Sequence, residues 1–265
     1  MMSLSVAQAL LGVLSGAAVG FTLGLVGGGG SILAVPLLVY LVGMDSPHIA
    51  IGTSAVAVAA NAAMGLAGHA RAGSVRWACA LVFAGAGILG AALGARLGQA
   101  VDGQRLLAAF AGMMVVVAVL MLRRREAGED REVRLDRHTA PRLLAAGLAV
   151  GGVSGFFGIG GGFLIVPALV LAAGLPMLAA IGSSLVAVTA FGTTTAASYA
   201  MAGLVDWRVA AIFIGGGVLG GLLGARLAKS LSGQKGVLNT VFAILIFVVA
   251  VYMLYRSIDA LGLVS

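Results

Sequence analysis

Gly27-Gly28-Gly29-Gly30-Ser31-Ile32-Leu33-Ala34-Val35-Pro36 is the stretch that decides the fold, because the chain writes it a second time as Gly158-Ile159-Gly160-Gly161-Gly162-Phe163-Leu164-Ile165-Val166-Pro167. Both clusters lie inside otherwise apolar sequence, where glycine carries a conformational cost and needs a reason. An apolar segment interrupted by glycine at the same place in two halves of a chain is a sequence pointer to a transporter's binding site.

Outward from the glycines the match continues. Laid over itself, the chain puts Gly20, Gly24, Pro36 and Gly43 on Gly151, Gly155, Pro167 and Gly174. After the loss of one residue, Ile51-Gly52-Thr53-Ser54 falls on Ile181-Gly182-Ser183-Ser184, and Trp77 falls on Trp207. Leu93-Gly94-Ala95-Arg96-Leu97 likewise falls on Leu223-Gly224-Ala225-Arg226-Leu227. Shared membrane composition would not hold Trp, Pro and Arg in register. The pattern predicts a first transmembrane repeat over 1–122, a charged loop over 123–142 and a second repeat over 143–265.

Of the 265 residues, 61% are hydrophobic and 9% charged, against roughly a quarter charged in soluble domains. Apolar runs of about 20 residues recur throughout, the length that crosses a hydrocarbon core of ~30 Å. The chain reads as an all-α polytopic membrane protein. Each half has a glycine-broken helical hairpin followed by three transmembrane helices, near 49–69, 77–97 and 104–122, then 181–201, 208–228 and 237–255. The formal charge of +7 gathers at the ends of apolar runs and in the central loop. That is the topology signature of cytoplasmic loops, not the footprint of a nucleic-acid partner. Leu4 to Val26 lacks the basic flank of a signal peptide and has a counterpart mid-chain, so it reads as structure. Cys79 is the single cysteine, with Val209 at its matching place, and reads as a buried apolar residue.

Two runs decide the topology. Residues 31–44 and 143–157 predict helices of about 20 Å at 1.5 Å per residue, too short to cross the core alone. Each glycine-broken pair then forms a re-entrant or tilted hairpin, and the two halves become inverted repeats. With 123–142 in the cytoplasm, Arg71, Arg76, Lys229 and Lys235 are also inside, while Asp102 and Asp206 are outside. The competing topology makes each pair a single span, gives parallel repeats and strands Lys229 and Lys235 outside.

The duplicated breaks, each followed by a proline-containing helix, the Gly52-Thr53-Ser54 and Gly182-Ser183-Ser184 triplets, and the Gly73-x-Val75-x-Trp77 and Gly203-x-Val205-x-Trp207 loops carry a likeness. Their order resembles the TauE/SafE family of sulfite and organosulfonate exporters, from about Gly12 to Arg256. The resemblance implies a multi-pass transporter of the bacterial cytoplasmic (inner) membrane, moving small sulfur-containing or related carbon anions.

Within hydrocarbon, irregular backbone persists only where it lines a cavity or is buried in protein. Gly28, Gly29, Gly30 and Ser31, and Gly160, Gly161 and Gly162, are free to turn N–H groups inward. Each cluster opens a short helix whose N-terminus attracts anions, and in inverted repeats the two N-termini are expected to meet near the midplane. Ser54 and Ser184 open the third element of each half and join the expected substrate ligands; helix capping or back-bonding is the bland alternative. Close packing accounts for Gly85 to Gly94 and Gly215 to Gly221, but not for four glycines before a proline-containing half-helix. Asn61 and Thr193 to Thr195 break the symmetry and rank behind. Arg96 and Arg226 read as snorkelling to the headgroups, and Trp77 and Trp207 as interfacial anchors.

The nine acidic residues all fall in loops or at segment ends, which argues against a cation as substrate. His69, opposite Tyr199 in register, reads as interfacial. No Walker lysine follows either glycine cluster, Gly158-Ile159-Gly160 follows no strand, and no metal or nucleophile constellation assembles. Neither an enzyme, a cofactor nor a metal is expected. The expectation is a secondary transporter carrying a small anion across the lipid bilayer by alternating access. A channel-like anion uniporter, which would not counter-exchange, is one alternative; a non-transporting membrane scaffold, which no small anion would stabilise, is the other.

Overall fold

The computed structural model describes residues 5–123, 139–158, 162–230, 247–253 and 255. All regular structure among them is helical: α1 (Val6–Val26), a tight 3-10 segment (Gly27–Leu33), α2 (Ala34–Pro36), a wide π-type turn (Leu37–Leu41), α3 (Pro47–Arg71), α4 (Trp77–Ala100), α5 (Gly103–Arg123), α6 (Thr139–Phe157), α7 (Gly162–Ala173), α8 (Met177–Met201) and α9 (Trp207–Ser230). Residues 247–253 are helical as well. Gly160, Gly161, Lys235, most of 123–142 and the first part of 237–255 lie outside the described residues.

Local chemistry sets the helix ends. Ser5 and Gln8 form a reciprocal capping box at α1, satisfying two N–H groups that a helix start leaves orphaned. Ser46 Oγ accepts from the Ile49 N–H at 3.4 Å, with Pro47 in the first turn of α3. Asp102 Oδ1 accepts from the Gln104 and Arg105 N–H groups, both at 3.1 Å. Asp206 Oδ1 does the same for Arg208 at 3.0 Å and Val209 at 3.1 Å. Gly27 (φ 74°) ends α1 and Gly158 (φ 68°) ends α6 in a conformation that a side chain would strain.

Among the described residues, six helices are long and apolar enough to cross a membrane: Val6–Leu25, Pro47–Arg71, Trp77–Ala100, Thr139–Phe157, Ala179–Met201 and Trp207–Leu227. This is the all-α multi-pass protein that the hydropathy predicts. One expectation changes. The run 143–157 was too short to span, but α6 begins at Thr139 and has 19 residues. Hydropathy discounts its polar first turn, where Pro141 is tolerated because N–H groups there have no intrahelical partner. Further on, Pro167 lies inside α7. Its counterpart Pro36 precedes a widened turn in which the Val42 N–H reaches Leu37 O at 2.9 Å.

Three pairings hold the bundle: α1 with α9, α4 with α6, and α3 with α8. Lipid supplies no hydrophobic drive for helix association, so close backbone approach through small residues must do it. Gly16, Gly20 and Gly24 of α1 face the backbone at Phe213, Gly217 and Gly221 of α9. Gly147, Gly151 and Gly155 of α6 face Phe83, Gly87 and Ala91 of α4. In both seams the numbers rise together, so the helices run parallel. Across α3 and α8 they run opposite ways: Gly52 faces Tyr199 and Leu204, Gly192 faces Ala55 and Ala59, and Gly65 faces Leu185. That pair is antiparallel.

Candidate functional site

The first glycine break is not an open loop. Gly27 to Leu33 wind into 3-10 turns, and every residue from Gly27 to Leu33 is buried. The short helix therefore starts at Gly27, ahead of the Ser31 start that the sequence suggests. Ser31 Oγ turns back to donate to Gly28 O at 2.9 Å. Gly30 lies so close to Thr22 and Leu23 of α1 that no Cβ fits between them. The Thr22 hydroxyl stands within 3.4 Å of Gly30 O and 3.0 Å of Ala18 O and Val19 O. Thr22 escaped the sequence reading because its counterpart, Val153, is apolar.

Two of the expected ligands come together across the halves. Ser184 Oγ accepts from the Gly28 N–H at 3.3 Å and donates to Ile181 O at 2.7 Å. Ile181 also packs on Gly27, where a Cβ would stand 2.6 Å from its Cγ2. Ser54 repeats half of this arrangement. Its hydroxyl donates to Ile51 O at 2.8 Å, and the Ile51 side chain fills the space beside Gly158. Gly162 opens α7. Ser31, Ser54 and Ser184 are fully buried.

The antiparallel register separates Ser54 from Ser184. Leu185 stands level with Gly65, eleven residues beyond Ser54, or about 16 Å along α3 at 1.5 Å per residue. Ser184 thus meets the first glycine break at one depth, and Ser54 stands at another, bonded to Ile51, whose side chain packs on Gly158. The short helices still meet one another, since α7 packs against the Gly27–Leu33 segment.

The neighbouring hydroxyls have a different task. Thr53 Oγ1 accepts from the Asp206 N–H at 2.9 Å, and Ser183 Oγ accepts from the Arg76 N–H at 2.9 Å. Each ties a loop of the opposite half to a buried helix. Of the symmetry-breaking residues, Thr193 and Thr194 line an open groove of about 670 Å³ between α4 and α8, together with Arg96, Thr189 and Ser198. Its hydroxyls are mostly engaged: Thr189 with Leu185 O at 2.7 Å, Thr194 with Ala190 O at 2.8 Å, Ser198 with Gln99 at 2.9 Å. Trp77 and Trp207 are exposed at helix starts, and Cys79 is buried. His69 Nδ1 lies 2.9 Å from Ser74 Oγ.

The buried polar inventory of the described residues is made of hydroxyls and one carboxamide: Ser15, Thr22, Ser31, Thr53, Ser54, Asn61, Ser154, Ser183, Ser184 and Thr195. No carboxylate is among them. These groups carry no fixed negative charge, so among the described residues no buried side chain gives a cation a counter-charge.

The profile of the family described as Sulfite exporter TauE/SafE matches residues 12–253. A protein of Xylella fastidiosa (strain 9a5c), described as a probable membrane transporter protein, is 52% identical over 247 residues, covering 92% of this chain and 94% of its own. The probable membrane transporter protein YdhB of Bacillus subtilis (strain 168) is 27% identical over 214 residues, covering 79% of this chain and 86% of its own. No solved structure matches.

Proposed function

The chain belongs to the sulfite exporter TauE/SafE family of membrane transporters, and from that premise we propose that it is a secondary transporter of a small anion, sulfite, a sulfonate or a related sulfur or carbon anion. It works in the bacterial cytoplasmic membrane by alternating access between two inverted halves. The observation that carries the anion reading is the buried polar inventory, all hydroxyl and amide among the described residues. The family's description points to the same substrate class.

Support for inverted halves comes from helix direction. Sequence counterparts α3 and α8 cross antiparallel, whereas parallel repeats would set them in the same direction. The two parallel seams, α1 with α9 and α6 with α4, are counterparts under the same exchange of halves. In this reading the anion is held by backbone N–H groups of Gly28, Gly29 and Gly30 in one half, where the break is buried, and of Gly160, Gly161 and Gly162 in the other, with Ser31, Ser54 and Ser184 assisting. The Ser184–Gly28 bond, at 3.3 Å, is longer than the usual N–H···O range, and in this reading the substrate takes its place.

Thermal melting of the detergent-purified protein against sulfite, thiosulfate, alkyl sulfonates, sulfate and small carboxylates tests this reading. A ligand of the folded state at a hundred times its Kd adds about 2.7 kcal/mol. We expect a selective rise in Tm that Gly29→Val removes, and counter-exchange of the same anion in proteoliposomes. Stabilisation by cations alone would overturn the anion assignment. Flux without counter-exchange would favour the uniporter.

A further inference from the structure

Among the described residues Asn61 is the buried carboxamide, and it stands with Ser15, Ser154, Thr195 and Tyr199 as a buried polar side chain without a hydrogen-bond partner. It lies near the middle of α3, 4% exposed, and neither its Nδ2 nor its Oδ1 has a hydrogen-bond partner. A carboxamide carries two donor hydrogens and an acceptor oxygen, and in a membrane-spanning bundle it loses water without recovering those bonds. Polar groups at that depth are costly and mark substrate pathways. The side chain rests on the backbone of Gly217 in α9, which leaves room for no Cβ there. Gly20 of α1 closes on the same Gly217, so three helices meet at the amide.

The fold itself does not call for an amide at this junction. The sequence counterpart of Asn61 is Phe191 of α8, which fills the equivalent junction with an apolar ring. Phe191 lies over Gly87 of α4 as Asn61 lies over Gly217, and Gly151 of α6 closes on Gly87 as Gly20 does on Gly217. Phe191 also stacks on Phe83, with ring centroids 6.0 Å apart. One half thus solves the packing with a hydrophobic side chain, and the other keeps an unsatisfied amide at the same place. Close to the antiparallel crossing, where Ala59 meets Gly192, Asn61 lies between the depths of Ser54 and Ser184.

We propose that Asn61 is a substrate ligand, its Nδ2 donating to an oxyanion oxygen of the transported anion when α3 and α9 part, and resting on Gly217 when they close. This rests on the anion reading above and names a residue in its site.

Asn61→Leu, close to isosteric, tests it with two readouts in the purified protein: Tm without ligand, and the Tm shift with sulfite, methanesulfonate or acetate. The expected result is an unchanged or higher ligand-free Tm, loss of the anion-induced shift and at least a tenfold drop in sulfite counter-exchange. An anion-induced shift equal to wild type would overturn the assignment while leaving the anion reading intact. A lower ligand-free Tm would also overturn it, as evidence that the amide has a structural partner. If Asn61→Leu does not yield folded protein, Asn61→Ala decides by its anion-induced shift and counter-exchange. A wild-type protein that none of the three anions stabilises sinks the anion reading, and this proposal with it.

Discussion

Two adjacent hydroxyl residues on α8 divide the labour. On α8, Ser183 accepts the Arg76 N–H at 2.9 Å and Ser184 accepts the Gly28 N–H at 3.3 Å. Successive helix residues point about 100° apart at 3.6 per turn, so one hydroxyl faces a loop and its neighbour faces the glycine break. Ser183→Ala removes this part-buried bond to the Arg76 N–H, a loss of about 0.5–1.5 kcal/mol. Its Tm should fall while the ranking of anions that stabilise the protein stays the same; a changed ranking would move Ser183 into the site. The duplicated Thr53-Ser54 and Ser183-Ser184 pairs were legible in the sequence, but the division between them was not. Neither residue type nor spacing states which neighbour meets the opposite half. Asn61 shows the reverse error. Its lack of a symmetric partner demoted it in the sequence, and in the structure that same asymmetry, against Phe191, is what singles it out.

Elements are held by backbone touching backbone. On α1, a Cβ at Gly20 would fall on the Gly217 main chain, whereas Gly85 of α4 has nothing within 4 Å. Overpacking of this kind costs about 1–3 kcal/mol, or more where backbone must shift. Gly20→Ala should therefore lower Tm or abolish folded protein, and Gly85→Ala should melt like wild type. Similar melting of the two variants would mean that the α1–α9 seam does not rest on these contacts. Helix positions were legible to within a few residues because apolar runs mark them directly, as for α3, read as 49–69 and found at Pro47–Arg71. The missing turns lie under polar caps such as Ser46 and Pro47, which hydropathy scores as loop. The winding of Gly27–Leu33 had no sequence signal at all. Four glycines permit almost any backbone, and burial between α1, α7 and α8 selects the tight one.

At the scale of the whole molecule, the direction of one helix pair decides what motion is available. Inverted halves can exchange conformations, so a state open to one face implies an equivalent state open to the other. Parallel halves carry no such implication. Charge placed Arg71 and Arg76 on the opposite side from Asp206, and the antiparallel α3–α8 crossing requires the same, because the 72–76 and 202–206 turns follow the C-terminal ends of those two helices. Ala72 and Ala202 occupy matching exposed positions in these turns. In a background where buried Cys79 becomes Val, its counterpart residue, Ala72→Cys and Ala202→Cys each provide a single thiol. A membrane-impermeant maleimide applied to intact cells should label Ala202→Cys and spare Ala72→Cys until the cells are permeabilised. Labelling of both from one side would make the repeats parallel. Transport could then not arise by the two halves exchanging shapes, and would need a gate that the inverted arrangement makes unnecessary.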